Sequence, residues 1–434
     1  MPQIDTVIRS RRVVTPDGVE AAAVGISSGR IAALLAYDAS VTDARNEIDL
    51  GAAALLPGCV DLDVAVQAPG QPLREGYQNT SAAAVRAGVT SIVVTPAPGR
   101  PAITGVSALK THMTASAGAE VNVAFLGGIT PRSTPADLAD LRGAGVAGFH
   151  CSLSDGGAPD ISAVDEPLLR KAMAEVAAME APLLVHAEDA GELAASGRSH
   201  HADDGLPAPR PPRAERRGLE RVISAARVTG TRTHVSPFTA AECAALLAAA
   251  RAIGVAVSAH TCPHYLCLPA ETVPADSPAF HCRPPLRSGA NRNALWSALL
   301  ADGDSAVSTI GSGHRPGTGV AAIPWTLPAL WTAASRRGRD LDDLVRWTAT
   351  GPAEVAGMRW KGQVAAGYDA DLVAFDTDAE QTVPDTDIGP YAGRVLTGRV
   401  ERTWVAGTTV FPRPRQRPNS RRNAQGGPAL HVNT

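Results

Sequence analysis

A short, apolar, strand-like run recurs eight times between residues 58 and 314, and this repetition constrains the fold more than any other feature. The segments between the runs have helical periodicity, most clearly at residues 165–181 and 240–254, where the first has an acidic N-terminal turn. Eight strand–helix units predict a (β/α)8 barrel rather than an open doubly wound sheet. The runs are GCVDLDVAV, TSIVVTP, NVAFLGGI, GVAGFHCSL, APLLVHAED, TRTHVSPF, GVAVSAHTC and AVSTIGSGH.

Both ends of the chain have a different pattern, in which short strands alternate with turns. DTVIRSRRVVTPDG and EAAAVGISSGRIAALLA lie near the N-terminus, and RVLTGRVERTWVAGTTVF lies near the C-terminus. We therefore predict a β-sandwich domain built from residues 1–56 and 362–411, around a barrel of residues 57–361. Residues 412–434 are rich in proline and arginine, which predicts a disordered tail.

Composition excludes several classes of protein. Hydrophobic residues make up 44% of the 434 residues and charged residues 19%, which is typical of a globular chain. The net charge of −3 does not favour nucleic acid or an anionic membrane as a partner. No segment resembles a signal peptide or a membrane span, and six cysteines are too sparse for a disulfide framework. These observations predict a cytoplasmic protein.

Polar side chains occur where the predicted strands end, which is where barrels place their chemistry. We take Asp63 on the first run, His150 on the fourth and His186 on the fifth as candidate catalytic residues. These three residues also match the number of protein ligands, three, that a catalytic zinc site has. The other reading is that these groups bind no metal. We expect no cofactor, and one zinc ion is the alternative. The later runs add further histidines at or near their ends: His234, His260, His264 and His314.

The order of motifs resembles that of the cyclic amidohydrolases, with most in common with bacterial allantoinase and less with dihydroorotase and dihydropyrimidinase. The shared motifs are PGCVDLDVAVQAPG, AGVTSIVVTP, GFHCSLS, APLLVHAED, HTCPHY, RPPLRSGANRNALWSAL, GSGHRP and YDADLVAFD. The resemblance runs from about residue 4 to residue 411. It implies a barrel with a flanking β-sandwich, and two metal ions held by four histidines, an aspartate and a carboxylated lysine.

Most of the implied metal-binding positions hold other residues in this chain. The two first-strand histidines correspond to Asp63 and Ala65, and the bridging lysine corresponds to His150. Only the fifth-strand histidine is kept, as His186. The two remaining positions, those of the sixth-strand histidine and the catalytic aspartate, hold Pro237 and Gly313, which offer no side-chain donor.

The resemblance also implies that the loop HCRPPLR, residues 281–287, holds a ring-shaped substrate by backbone contacts. We take Arg283, Pro284 and Pro285 as candidate substrate-binding residues, together with His264. The alternative is that the two prolines only shape a turn and do not contact a substrate.

Loss of the bridging lysine and of the acid–base aspartate predicts a pseudoenzyme with a non-catalytic or regulatory role. Two alternatives remain open. One is a repurposed, metal-independent enzyme that acts on a cyclic amide or ureide through Asp63, His150 and His186. The other is a mononuclear metal amidohydrolase. We expect a small cyclic amide-like ligand, and either a homo-oligomer or a pairing with an active paralogue.

Overall fold

The computed structural model describes residues 4–41, 44–97, 99–155, 161–198, 210–274, 277–301 and 305–413. Eight parallel strands form one sheet in which each strand pairs with its neighbour in the chain, in the order β13 to β6. This confirms the predicted barrel. The strands are β6 (Cys59–Val64), β7 (Val89–Val94), β8 (Asn122–Gly128), β9 (Gly148–Ser152), β10 (Leu183–His186), β11 (Thr233–Val235), β12 (Val257–Thr261) and β13 (Val307–Ile310).

The first and last barrel strands approach each other at their carboxyl ends. The Ala65 amide donates to the His314 carbonyl at 2.9 Å, just beyond the ends of β6 and β13. The Ser312 amide donates to both carboxylate oxygens of Asp61 at 3.1 Å. These contacts bring the segment after β13 against β6, so residues far apart in the chain meet at the barrel mouth.

Helices connect the barrel strands, and several begin at a side-chain cap. Asp165 accepts a hydrogen bond from the Leu168 amide, and Thr134 forms a capping box with Asp137. None of the described helices is long and apolar enough to cross a membrane. The helices are α1 (Leu73–Arg86), α2 (Val106–Ser116), α3 (Pro135–Gly143), α4 (Glu166–Ala178), α5 (Ala190–Arg198), α6 (Pro212–Thr229), α7 (Ala244–Ala252), α8 (Pro263–Cys267), α9 (Gly289–Leu299), α10 (Thr326–Ser335), α11 (Leu341–Val345) and α12 (Gly351–Val355).

The second sheet joins the two ends of the chain, as the alternating patterns predicted. Its order is β16-β15-β14-β5-β1-β2-β3, and β4 pairs with β1. Its core includes Ile8, Leu55 and Trp404. The strands are β1 (Thr6–Thr15), β2 (Gly18–Ser27), β3 (Arg30–Ala36), β4 (Asn46–Asp49), β5 (Ala54–Pro57), β14 (Leu372–Thr382), β15 (Val395–Val405) and β16 (Thr408–Phe411).

Strand periodicity places a polar layer next to an apolar one inside this scaffold. Leu184 on β10 belongs to an apolar cluster with Val93 and Leu126 from β7 and β8. His186 lies two residues farther along β10, and residues two apart share a face of a strand. The polar residues of the mouth therefore follow directly on packed apolar side chains.

The predicted tail falls almost wholly outside the described residues, which end at residue 413.

Candidate functional site

Asp63 on β6 is buried and carries an ion pair that the sequence did not predict. The Arg315 guanidinium contacts its carboxylate through Nη2, and Nη1 donates to the Asp63 carbonyl at 3.1 Å and to the His314 carbonyl at 3.0 Å. Ser236 Oγ donates to the carboxylate at 3.4 Å. Burial by itself raises the pKa of Asp63, but the charge and hydrogen bonds of Arg315 outweigh burial and lower that pKa to about 2. Asp63 is therefore ionised at neutral pH.

No imidazole nitrogen in the described ranges lies in hydrogen-bond contact with Asp63, so the structure contains no direct Asp63–histidine pair. The reason is that Arg315 occupies the carboxylate. Asp63 still acts at longer range, because its charge favours the protonated form of His150 and of His260.

Four histidines at the mouth are neutral: His260, His264 and His314 are buried, and His150 is partly buried with its Nδ1 enclosed. Burial lowers the pKa of His150 and His260 to about 4, and that of His264 and His314 to about 3. Each also has one buried ring nitrogen without a hydrogen-bond partner: Nδ1 of His150, His264 and His314, and Nε2 of His260. A buried unpaired nitrogen is costly, so a set of four points to a ligand-binding role.

His234, in contrast, is explained as a structural residue. Its Nδ1 bonds the Ser258 hydroxyl at 2.7 Å, and its Nε2 bonds the Thr309 hydroxyl at 2.8 Å. The same Thr309 hydroxyl bonds Nδ1 of His260 at 2.8 Å and so orients that ring. His234 therefore positions its neighbour and has no free nitrogen of its own.

His186, at the end of β10, belongs to a charged relay. Its Nε2 lies 2.8 Å from the Glu188 carboxylate, which also accepts two bonds from Arg210 Nε at 3.1 Å and one from Nη2 at 2.5 Å. Burial raises the pKa of Glu188, but hydrogen bonds and charges from His186 and Arg210 lower it to about 2. Sequence reasoning missed Glu188, although its position two residues after His186 in LLVHAED was a usable signal.

Asp61, two residues before Asp63 on β6, is a second buried acid, and its pKa is shifted in the opposite direction. Burial raises the pKa of Asp61 to about 6, despite the hydrogen bonds from Ser312. The two acids on β6 therefore differ in protonation between about pH 2 and pH 6, where Asp61 binds a proton and Asp63 does not, because only Asp63 has a cationic partner. This difference also escaped the sequence reasoning, because it depends on Arg315.

Gly313, which corresponds to the family's catalytic aspartate, has a backbone in the left-handed region that favours glycine. Its φ is +60°, and a Cβ atom there would lie 2.7 Å from Cys262 Sγ and 3.2 Å from His264 Cε1. A larger side chain would therefore collide with α8 and its preceding loop. The space that an aspartate would need is filled by residues of this chain.

The predicted substrate loop is tied to the rest of the mouth. Tyr265 donates its hydroxyl to the Pro284 carbonyl at 2.7 Å. Arg287 donates to Glu215 and to the Arg210 carbonyl, each at 2.6 Å. Arg283 is exposed, Pro284 is buried, and Pro285 is intermediate between them. The loop and the His186 relay thus share Arg210.

Comparison with known proteins identifies relatives over nearly the whole chain. The family model described as "Amidohydrolase family" matches residues 54–410. An allantoinase of Streptomyces avermitilis is 36% identical over 95% of this chain and 96% of its own length, and one of Rubrobacter xylanophilus is 33% identical over 95% of each. Among solved structures, an L-hydantoinase of Arthrobacter aurescens has a TM-score of 0.86 and 25% identity, covering 94% of this chain and 96% of its own.

These relatives overturn the prediction of a pseudoenzyme with a non-catalytic or regulatory role. Proteins of 29–36% identity over most of the chain carry the name allantoinase in bacteria, plants and yeast. The prediction was wrong because it counted substitutions at six metal-site positions and gave no weight to the rest of the mouth. The alternative of an enzyme that acts on a cyclic amide or ureide agrees better with the relatives.

The expectation of no cofactor is also wrong, because the matched family is the one whose resemblance implies metal ions. The donors have suitable chemistry, since neutral imidazoles and an ionised carboxylate are natural zinc ligands. Their arrangement does not fit: within the part of the chain that the structure describes, no group of three or more His, Cys, Asp or Glu side chains is placed to hold a metal. Arg315 is the cation on Asp63 instead.

The barrel order, the terminal sheet and the motif order all agree with the family model, which covers far more than half of the sequence. The allantoinase relatives exceed 30% identity over almost the full chain. This chain therefore belongs to the amidohydrolase family.

Proposed function

We propose that this protein is a hydrolase that opens the ring of a cyclic amide or ureide, of the class to which allantoin and hydantoin belong, at a C–N bond. The observation that carries the proposal is the 36% identity to an allantoinase across 95% of the chain. The polar mouth adds support, because it combines an ionised aspartate, neutral histidines and a His–Glu relay in one place.

In this proposal His186 is the general base. Glu188 is ionised and accepts from Nε2, so in the neutral imidazole of His186 the Nε2 atom carries the proton and Nδ1 keeps its lone pair. Nδ1 makes no hydrogen bond to any residue of the described ranges, and the side chain is 12% exposed. His186 can therefore take a proton from the attacking water and return it to the leaving ring nitrogen, while Glu188 stabilises the imidazolium between these two steps.

His150 and Asp63 complete the proposed catalytic set. His150 is neutral at pH 7, so it acts through hydrogen bonds to substrate rather than as a stored acid. Its Nδ1 is buried as well as unpaired, so Nε2 is the ring nitrogen left for this contact. Asp63 holds the Arg315 guanidinium at the mouth, and guanidinium donors suit the carbonyl oxygens of a ureide.

The loop of residues 281–287 is proposed to position the ring, through Arg283, Pro284 and Pro285, with His264 beneath. Supporting this, Tyr265 and Arg287 anchor the loop at two points, which reduces the entropy cost of holding a substrate. The exposed Arg283 side chain is free to contact a substituent on the ring.

Turnover of four ring compounds tests the proposal. Purified protein, with and without added zinc, is assayed on allantoin, hydantoin, dihydrouracil and dihydroorotate. We expect hydrolysis of at least one, and a fall in kcat of about a hundredfold or more in His186→Gln. Arg170→Ala removes an exposed ion pair with Glu166 on α4 and serves as the matched control. The function is contradicted if the folded, zinc-supplemented protein hydrolyses none of the four compounds.

Three coarser features also stand as proposals. We propose that residues 1–56 with 362–411 and residues 57–361 are the two domains, since one sheet joins the chain ends and another forms the barrel. We propose a cytoplasmic location, because all six cysteines are free thiols. A homo-oligomer is proposed as well, and light scattering during size-exclusion chromatography measures it.

A further inference from the structure

Arg287, the last residue of the loop of residues 281–287, ties this loop to other segments of the mouth. Its Nη2 donates to the Glu215 carboxylate at 2.6 Å, and its Nη1 donates to the Arg210 carbonyl at 2.6 Å. Its Nε donates to the Thr239 hydroxyl at 3.3 Å. Only 11% of the Arg287 side chain and 6% of the Glu215 side chain are exposed. The loop therefore ends at a largely buried ion pair.

Glu215, on α6, is the other half of this ion pair and also holds the segment that follows β11. Its carboxylate accepts from the Thr239 amide at 2.9 Å, the Thr239 hydroxyl at 2.6 Å and the Ala240 amide at 3.0 Å. Hydrogen bonds to a charged group are short and strong, so these three and the bond from Arg287 fix the position of the carboxylate. Through Arg287, the same carboxylate fixes the end of the loop.

Arg210 connects the loop to the proposed general base. Its carbonyl accepts from Arg287, while its side chain donates to Glu188 through Nε at 3.1 Å. Glu188 in turn lies 2.8 Å from Nε2 of His186. One residue thus links the loop that is proposed to hold the ring with the side chain that is proposed to move the proton, and a short chain of hydrogen bonds sets the distance between them.

Stability alone does not account for a buried ion pair at the end of this loop. Burying two charges costs desolvation energy, and apolar side chains of similar volume are often equally stable or more so. An ion pair with directional donors adds a defined geometry. The middle of the loop is also held by a directional bond, since the Tyr265 hydroxyl donates to the Pro284 carbonyl at 2.7 Å. The loop is therefore anchored at its middle and at its end.

We propose that Glu215 and Arg287 are positioning residues, which hold the loop of residues 281–287 where a bound ring meets His186. This inference rests on the proposed function and deepens it, because it assigns the placement of the ring to a pair that itself contacts no substrate. A loop that has lost its end anchor must be ordered when the ring binds, which raises KM. The His186–Glu188 contact is unchanged, so kcat changes much less than KM.

Kinetics and thermal unfolding of Arg287→Met, Glu215→Gln and the double variant test the proposal. Each single variant leaves one buried charge unpaired, so its Tm should fall, whereas the double variant has no unpaired charge and should regain most of that Tm. KM should nevertheless stay at least about tenfold above wild type in the double variant, with kcat within about threefold, because no guanidinium holds the loop to Arg210. A pair that only stabilises the fold would instead let KM recover together with Tm.

Hydrogen exchange followed by mass spectrometry measures the loop without any substrate. Peptides that cover residues 279–290 should exchange at least about tenfold faster in Arg287→Met than in wild type, while peptides that cover β7 should be unchanged. Arg217→Met, which removes an exposed ion pair with Glu220 on the same helix, is the matched control and should alter neither KM nor loop exchange. If Arg287→Met is poorly folded, the double variant takes its place in this measurement.

The two readouts separate this inference from the function on which it rests. Faster loop exchange in a protein that hydrolyses none of the four ring compounds refutes the proposed function and leaves the anchoring of the loop supported. Unchanged loop exchange in Arg287→Met, or a double variant whose KM returns to within threefold of wild type, refutes the positioning role of Glu215 and Arg287.

Discussion

Acidification from pH 7.5 to 4.5 is expected to unfold the chelator-treated protein through the histidines of the mouth. Folding lowers the pKa of His150 and His260 to about 4 and that of His264 and His314 to about 3, whereas an unfolded histidine has a pKa of about 6.5. The unfolded state therefore binds more protons below pH 6.5, and stability falls as the pH falls.

The size of the loss follows from those values. At pH 4.5 each of the four histidines removes about 2.5 kcal/mol from the free energy of unfolding. Asp61 acts in the opposite direction, because folding raises its pKa to about 6 and the folded state takes up that proton first. Its gain is about 2 kcal/mol at pH 4.5. These five groups together give a loss on the order of 8 kcal/mol, which matches the total stability of a typical domain.

Guanidinium unfolding curves at pH 7.5, 6.5, 5.5 and 4.5, followed by circular dichroism, measure this loss. His314→Gln is the informative variant, since only the backbone of His314 makes hydrogen bonds in the described structure. It should reduce the slope of stability against pH, between pH 6 and 4.5, by about 1.4 kcal/mol per unit, which is one proton. A stability that stays flat from pH 7.5 to 4.5 would refute the assignment of these histidines as buried and neutral.

Two substitutions extend the predictions. Glu188→Gln should lower kcat by about a hundredfold, because Glu188 stabilises the His186 imidazolium. It should also lower the free energy of unfolding by about 3 kcal/mol, because it leaves the charge of Arg210 unpaired. Initial rates within twofold of wild type would contradict a catalytic role for the His186–Glu188 pair. Gly311→Ala places a Cβ 2.4 Å from an oxygen of Asp61 and should cost about 1 to 3 kcal/mol in chemical denaturation. Gly143→Ala, with nothing within 4 Å of its new Cβ, should be neutral or slightly stabilising, and an equal loss in both variants would contradict the crowding at Gly311.

The architecture was predictable because its signals are local. Each barrel strand appears as a short apolar run bounded by turn residues. Seven of the eight runs contain their barrel strand whole, and TSIVVTP covers all of β7 except Val89. The helix predicted over residues 165–181 is α4, which begins after its Asp165 cap. Period-two alternation at the chain ends likewise marked the strands of the second sheet.

The function was misjudged because motif positions describe only one part of a site. Ala65, Pro237 and Gly313 do lack donors, and that reading of the sequence is unchanged. The error was to infer lost activity from those positions, when relatives named allantoinase share about a third of the residues along almost the entire chain.

The sequence by itself determined the order of strands and helices, the polar residues at the strand ends and the residue types missing from the family's metal positions. Only the tertiary structure decided their partners and charges. Arg315 meets Asp63 across 252 positions of the chain, and Arg210 meets Glu188 across 22 positions. The physical reason is that periodicity and composition report what a residue and its near neighbours prefer, whereas a pKa depends on burial and on charges that only the closed barrel brings together.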